Sequence, residues 1–255
     1  MKYVLVTGAA GGVGRATTEA LHLAGYGVVA TDVLSAQQWK ENFGEEPNTH
    51  YFPADMSRAD SILALRSSVQ SLGVELQGLA LCAGIAHSQP LLETSLESWQ
   101  QVHAVNSTGV FLVIREFAQL MIDQNPKDST NARGIVTVSS NASHTPRAEF
   151  GAYGASKASA SSVSLSFGLQ LAQYGIRVNT VCPGTTRTPM ITDAWRGEDL
   201  SHQPVEGNSK NFRLGIPLGR IAEPEDIAAV IEFLVDSRSR HVTMQELTVD
   251  GGATF

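Results

Sequence analysis

The feature that most limits what this chain can fold into is a glycine-rich turn near its start. Thr7-Gly8-Ala9-Ala10-Gly11-Gly12-Val13-Gly14 sits where the β-rich run Tyr3–Thr7 gives way to the helical run Val13–Ala24. The alternation set up there continues along the chain. Gly27–Asp32, His50–Asp55, Gly78–Gly84, Gly134–Ser140, Arg177–Pro183 and Gln245–Asp250 read as further strands, separated by helical stretches at Ala59–Leu72, Leu96–Met121, Tyr153–Tyr174 and Pro224–Val235. Strands that alternate with helices predict a parallel sheet covered on both faces, with ligands held at the carboxyl ends of the strands. The fold expected is therefore α/β, with a mainly parallel seven-stranded sheet.

No linker, repeat or low-complexity tract divides the chain, so residues 1–255 are read as one doubly wound, Rossmann-type domain. The least regular stretch, about 190–217, is long and polar, and lies beside the strand ends. That placement predicts a lid over a substrate. A formal charge of -7 with only 18 Lys and Arg argues against a nucleic-acid surface. No apolar run is expected to reach membrane-span length, and the opening Met1–Gly8 reads as a strand entering a turn rather than a secretory leader. Cys82 and Cys182 lie in apolar stretches and read as small buried hydrophobes, consistent with a reducing, cytoplasmic setting. The seven histidines show no metal-ligand spacing, so no metal is expected.

Glycines at 8, 12 and 14 allow a tight turn and close approach of backbone to a pyrophosphate, whose charge the following helix N-terminus favours. Asp32 closes the second strand, where a carboxylate can accept both ribose hydroxyls of NAD and repel the extra phosphate of NADP. No Arg or Lys follows it to neutralise such a phosphate, so NAD is the expected cofactor. Asp55, just before Met56, can either accept from the adenine amino group or cap the next helix.

Tyr153-Gly154-Ala155-Ser156-Lys157 opens a helix and puts Tyr153 and Lys157 on one face, while Ser140 ends a strand at the same carboxyl edge. A phenol with an ordinary pKa of about 10 needs help to act as a base near neutrality. An ammonium about 5 Å away, at an effective dielectric of about 20, would stabilise the phenolate by roughly 3 kcal/mol. A nicotinamide cation would add the remainder. Ser140 would hold the substrate oxygen, and Lys157 the nicotinamide ribose.

Thr7-Gly8, Gly12-Val13-Gly14, Ala83-Gly84, Asn106, Ser140, Tyr153, Lys157 and Pro183-Gly184 together make the chain resemble the short-chain dehydrogenase/reductases from end to end. The resemblance implies a catalytic set of Asn106, Ser140, Tyr153 and Lys157, with Asn106 anchoring a water for proton relay. It also implies a nicotinamide site that includes Thr186 and Thr188, and a homotetramer. Leu81-Cys82 departs from the paired asparagines usual in the family, which puts a hydrogen bond near the fourth strand in doubt. Ser143-His144-Thr145-Pro146-Arg147, Leu214–Ile221 and the tail His241–Gly252 are similar to the family members acting on a carboxylated cyclohexadiene diol in catecholate siderophore synthesis. Such a substrate calls for a cation, with Arg147 first and Arg187 second as candidates. His144 could orient the same substrate or be structural. The competing expectations are a family member acting on another cyclic alcohol, a polyol or a 3-oxoacyl substrate, and a catalytically silent NAD-binding scaffold.

Overall fold

In the computed structural model, residues 1–124 and 133–254 are described. Among them, strands β1 (Lys2–Thr7), β2 (Gly27–Asp32), β3 (Thr49–Pro53), β4 (Glu75–Leu81), β5 (Arg133–Val138), β6 (Ile176–Pro183) and β7 (Glu246–Val249) form one sheet. Its order is β3-β2-β1-β4-β5-β6-β7, and every neighbouring pair is parallel. The helices are α1 (Gly12–Leu23), α2 (Ala36–Phe43), α3 (Ala59–Leu72), α4 (Leu96–His103), α5 (Val110–Asp123), α6 (Gly151–Leu171), α7 (Pro189–Thr192), α8 (His202–Glu206) and α9 (Pro224–Val235). The sheet runs outward one way through β2 and β3, then resumes on the other side of β1 with β4. That reversal opens a crevice at the carboxyl ends of β1 and β4.

The sheet is buried on both faces, and the pleat of each strand divides its side chains between two cores. Leu5 and Val29 pack with Ile62 and Leu65 of α3 and with Ile114 and Phe117 of α5. Their neighbours Val4, Val6 and Val28 pack with Leu21 of α1, Trp39 of α2 and Ile231 of α9 on the opposite face. Each such fully buried aliphatic side chain contributes about 1.5–3 kcal/mol.

Three elements differ from the sequence expectation. Helix α2 was not anticipated, although Ser35 and Gln38 form a reciprocal capping box at its start and Trp39 stacks on Tyr51 at 4.3 Å. Strand β4 lies three residues earlier than expected because Cys82–Gly84 leave the sheet to close against the glycine turn. There the Ala83 N–H donates to Thr7 Oγ1 at 3.2 Å, which supplies a hydrogen bond at the position where the family's asparagines are missing. The run Leu96–Asp123, with a mean hydropathy of 1.2 over its most apolar window, is long and apolar enough to cross a membrane by length and composition. This corrects the expectation that no run approaches that length. Its buried side chains, among them Val113, Ile114 and Phe117, belong to the core over the sheet rather than to a lipid-facing surface. The segment from Gln245 onward ends in Phe255, which lies outside the described residues.

Helix α6 is held against the sheet by small side chains and hydroxyl bonds rather than by bulk. Thr137 Oγ1 meets Ser164 Oγ at 2.8 Å, Ser161 Oγ donates to Ser139 Oγ at 2.9 Å, and Ser139 Oγ donates to the Lys157 carbonyl at 3.1 Å. A Cβ on Gly154 would lie 2.7 Å from the Ala142 carbonyl oxygen, so this glycine lets the first turn of α6 sit directly on the loop after Ser140. The reacting residues inherit that rigidity.

Candidate active site

At the crevice lies a cavity of about 560 Å³. Three glycines of the turn, Gly8, Gly12 and Gly14, each have their own reason to be one. Gly8 adopts φ +65° with its missing Cβ 2.7 Å from the Ala83 Cα, and a Cβ on Gly14 would stand 2.1 Å from the Gly8 carbonyl oxygen. Gly14 thus lets α1 press onto the turn, while Gly12 clears the Thr188 methyl, which an added Cβ would approach to 2.7 Å. The opening α1 N-terminus faces the cavity, a cradle suited to a diphosphate. Val13, Asp32, Asp55, Met56, Ala83 and Gly84 line the same space, as do Tyr153, Lys157, Pro183, Gly184, Thr186 and Thr188. These residues therefore fit a dinucleotide.

Asp32 is pinned at the mouth of this cradle: Oδ2 accepts from the Ala10 N–H at 3.0 Å and Oδ1 from the Val33 N–H at 2.8 Å. Asp55 lies beyond the end of β3, and its Oδ1 accepts from the Ser57 N–H and hydroxyl at 2.8 and 2.7 Å. It closes a local turn without being the N-cap of α3, a position held by Arg58. Its side chain still lines the cavity, so the turn and a contact with a ligand are compatible.

Tyr153 and Lys157 project from the first turns of α6, with Lys157 Nζ 5.8 Å from the centroid of the Tyr153 ring. The ammonium donates to the Val138 carbonyl at the end of β5, at 2.7 Å. Two residues on, Ser140 accepts from the Ala142 N–H at 3.1 Å and also hydrogen-bonds the Tyr153 phenol. Burial raises the phenol's pKa above its ordinary value, and the bond to Ser140 only partly opposes this. The expectation that Lys157 would offset burial is therefore not met by the side chains alone. The physical reason is that the ammonium is itself desolvated, its pKa pulled down to about 8, and is tied to a carbonyl rather than to the phenol oxygen.

Asn106 sits in a π-helical segment, residues 104–109, between α4 and α5, fully buried. Its Oδ1 accepts from the Ile85 N–H at 2.9 Å, and its Nδ2 donates to the Ile85 carbonyl at 2.8 Å and to Ser156 Oγ at 3.0 Å. The amide thus clamps the loop after β4 to α6, directly behind Tyr153. A Cβ on Gly84 would come within 3.0 Å of Lys157 Nζ and 3.3 Å of Asn106 Oδ1, so the glycine is what allows these side chains to flank the loop.

A second cavity, of about 430 Å³, adjoins the first and shares Ser140, Tyr153, Gly184, Met190 and Ile191 with it. The irregular stretch about 190–217 covers it through α7, α8 and a tight hairpin at Asn208–Arg213. Arg147 lines this cavity; Arg187 does not. The Arg187 guanidinium is committed outward, to Glu223 at 3.0 Å and Asp199 at 3.4 Å, and lies over the Trp195 ring. In its place the cavity holds Arg213, which sequence reasoning missed although it directly precedes the Leu214–Ile221 stretch, because only the folding of the lid turns it inward. His144 is exposed beside Ser143 and lies away from this cavity.

A family model described as "Enoyl-(Acyl carrier protein) reductase" matches residues 8–254. The chain belongs to the short-chain dehydrogenase/reductase family. It is 39% identical over 254 residues to a 2,3-dihydro-2,3-dihydroxybenzoate dehydrogenase of Escherichia coli (strain K12), covering 100% of this chain and 97% of that protein. A second protein of the same name, from Bacillus subtilis (strain 168), is 36% identical over 257 residues, covering 100% and 96%. Among solved structures, a 4-hydroxyisoleucine dehydrogenase complexed with NADH superposes with a TM-score of 0.86 at 24% identity, covering 100% of this chain and 99% of that one, a likeness of fold alone. This short-chain dehydrogenase/reductase is accordingly a nicotinamide-dependent oxidoreductase acting on a small molecule.

Proposed function

We propose that the enzyme oxidises 2,3-dihydro-2,3-dihydroxybenzoate to 2,3-dihydroxybenzoate with NAD, in the synthesis of a catecholate siderophore. The observation that carries this reading is that relatives of that name match the chain end to end, while a cation, Arg147, stands in the cavity beside Ser140 and Tyr153. With its diphosphate in the glycine cradle, a bound nicotinamide dinucleotide would supply the acceptor for the hydride leaving C3 of the diol. Tyr153 takes the proton from the C3 hydroxyl, so one proton and one hydride leave the carbinol together. Ser140 steadies the same oxygen through its hydroxyl, and Lys157 anchors the cofactor ribose while its charge favours the phenolate. Asn106 anchors the proton relay behind them, through the loop and α6 contacts already described. Arg147 holds the ring carboxylate. The ketone formed tautomerises to the aromatic catechol, which makes oxidation effectively one-way.

NAD is preferred over NADP in this reading because Asp32 faces the ribose end of the cradle, and Lys157 is the only basic side chain lining the cavity among the described residues. Asp32→Asn removes the charge and keeps an acceptor for the Ala10 N–H. The kcat/KM ratio for NAD over NADP is expected to fall at least about tenfold, on the scale of one charge-assisted contact. An unchanged ratio would remove Asp32 from cofactor selection.

The whole chain acts as one catalytic domain, with residues about 190–217 as the substrate lid. A homotetramer in the cytoplasm is consistent with exposed Leu92, Leu96, Trp99 and Phe111 around α4 and α5 and with two free thiols. The deciding experiment supplies purified protein with NAD and 2,3-dihydro-2,3-dihydroxybenzoate and follows NADH and catechol absorbance together. Their appearance in equal amounts is expected, and NADH formation from neutral cyclic diols but not from this acid would overturn the assignment of substrate.

A further inference from the structure

The second cavity holds more positive charge than one arginine supplies. Arg147 and Arg213 both line it, each partly buried, and neither makes an ion pair among the described residues. Each guanidinium is disfavoured by burial, and the charge on Arg147 further disfavours that on Arg213. Asp250 acts on Arg147 from a distance, but its carboxylate is already taken up by Thr254 at 2.6 Å, the Gly252 N–H at 3.0 Å and Asn141 at 3.2 Å. Glu206, which also lines the cavity, is exposed and pairs with neither arginine among the described residues. Two adjacent cations that face a concave space without a counterion form a receptor for an anion.

The lid is built to hold Arg213 there. Asn208 and Arg213 exchange both backbone hydrogen bonds, at 2.8 and 2.9 Å, and Asn208 Oδ1 accepts from the Lys210 and Asn211 N–H groups. At the base of this hairpin Gly207 has φ +80° and no room for a Cβ, which would lie 2.7 Å from the Arg213 carbonyl oxygen. Phe212 adopts the left-handed conformation, φ +53°, and is 95% exposed. A bulky residue in that region is strained. The strained turn sends Phe212 outward, while the next guanidinium reaches inward to donate to Thr185 Oγ1 at 2.5 Å. Thr185 directly follows Pro183-Gly184, so Arg213 joins the lid to the loop that lines the cofactor cavity.

We propose that Arg213 is a specificity-determining residue that completes, with Arg147, a two-guanidinium receptor for the carboxylate of a cyclic alcohol and makes the enzyme discriminate against neutral rings. This rests on the reading of the substrate as a ring acid. Ser140 and Tyr153 line the same cavity, so one ring can place its carboxylate on the arginines and its reacting carbon, two ring positions away, beside the hydroxyls.

The test measures, on the NAD-loaded enzyme, binding of 2,3-dihydroxybenzoate and of catechol to the wild type, R213Q, R213K and R147Q. R213Q is expected to weaken 2,3-dihydroxybenzoate about 30-fold or more, as for loss of a charge-assisted hydrogen bond, and to change catechol binding less than about twofold. R147Q should behave alike, and R213K should restore only part of the loss, because an ammonium lacks the planar fork. Unchanged NAD affinity in each variant reports that the site is intact. If R213Q holds 2,3-dihydroxybenzoate as tightly as the wild type, or loses catechol to the same degree, the proposal is wrong. Should the wild type fail to oxidise the dihydro diol acid, the substrate assignment falls on its own, and benzoate against benzyl alcohol then judges the receptor. An Arg213-dependent preference for benzoate sustains it, and equal binding of the two ends it.

Discussion

Tyr153→Phe is expected to lower kcat by about 10³-fold or more while leaving the Kd for NAD within about twofold, at the upper end of what one positioned acid–base group contributes. The phenylalanine ring keeps the edge-on contact with Phe150, centroids 6.2 Å apart, and the packing of α6 on the loop after Ser140, so only the O–H is lost. The pH dependence separates this from a packing defect. Burial holds the Tyr153 phenol above its ordinary range, so the base form grows as pH rises, and kcat/KM for alcohol oxidation by the wild type should climb across the alkaline side of neutrality. The phenylalanine variant should lack that rise. Steady-state rates from pH 6 to 10 check both statements, and a variant that keeps kcat within tenfold would take Tyr153 out of proton transfer.

Lys157→Met is expected to make the protein more stable and nearly inactive. Lys157 is 4% exposed, and burial lowers the pKa of its ammonium from 10.5 to about 8 with no carboxylate opposing the shift. Because the folded pKa lies below the unfolded one, the unfolded chain binds more protons between about pH 8 and 10.5. Stability therefore rises with pH through that window, and below it the charge costs the fold about 3 kcal/mol. Methionine matches the length of the side chain without the charge, but deprives the Val138 carbonyl of its donor, a loss of about 1 kcal/mol. The net gain at pH 7 is about 1–2 kcal/mol, or a Tm higher by about 2–8 °C for a chain of this size. The gain vanishes near pH 10, and above it the missing donor leaves the variant less stable than the wild type by up to about 1 kcal/mol. Activity should fall at least about 100-fold, the common exchange of stability for function at a site that buries a charge. Thermal melts at pH 7 and pH 10 with parallel assays decide it, and a less stable methionine variant at pH 7 would show that the Val138 bond outweighs burial.

Much of the architecture was readable because it follows from period and spacing. Helices α3 and α9 begin and end where hydrophobic periodicity placed them, and six of the seven strands lie within two residues of the expected ends. Helix α2 was legible in Ser35 and Gln38 but short enough to be overlooked. The displacement of β4 was not legible, since Cys82–Gly84 are as apolar and small as strand residues. Only their contact with Gly8 shows that they have left the sheet. Similarly, Arg147 and Arg187 look alike as loop arginines near a motif. Glu223 and Asp199 claim the second, and a hairpin turned at Phe212 delivers Arg213 instead.

The sequence by itself determined the parallel α/β plan, the glycine turn at its first crossover, and the Tyr153–Lys157 pair on one helical face. Each of these follows from local geometry, the repeat of a helix or the conformational freedom of one residue type. Tertiary structure alone decided which arginines line the cavity beside Tyr153, what Asn106 holds and how far burial perturbs Tyr153 and Lys157. These depend on which distant groups meet and on how much water their meeting excludes, quantities that no spacing along the chain contains.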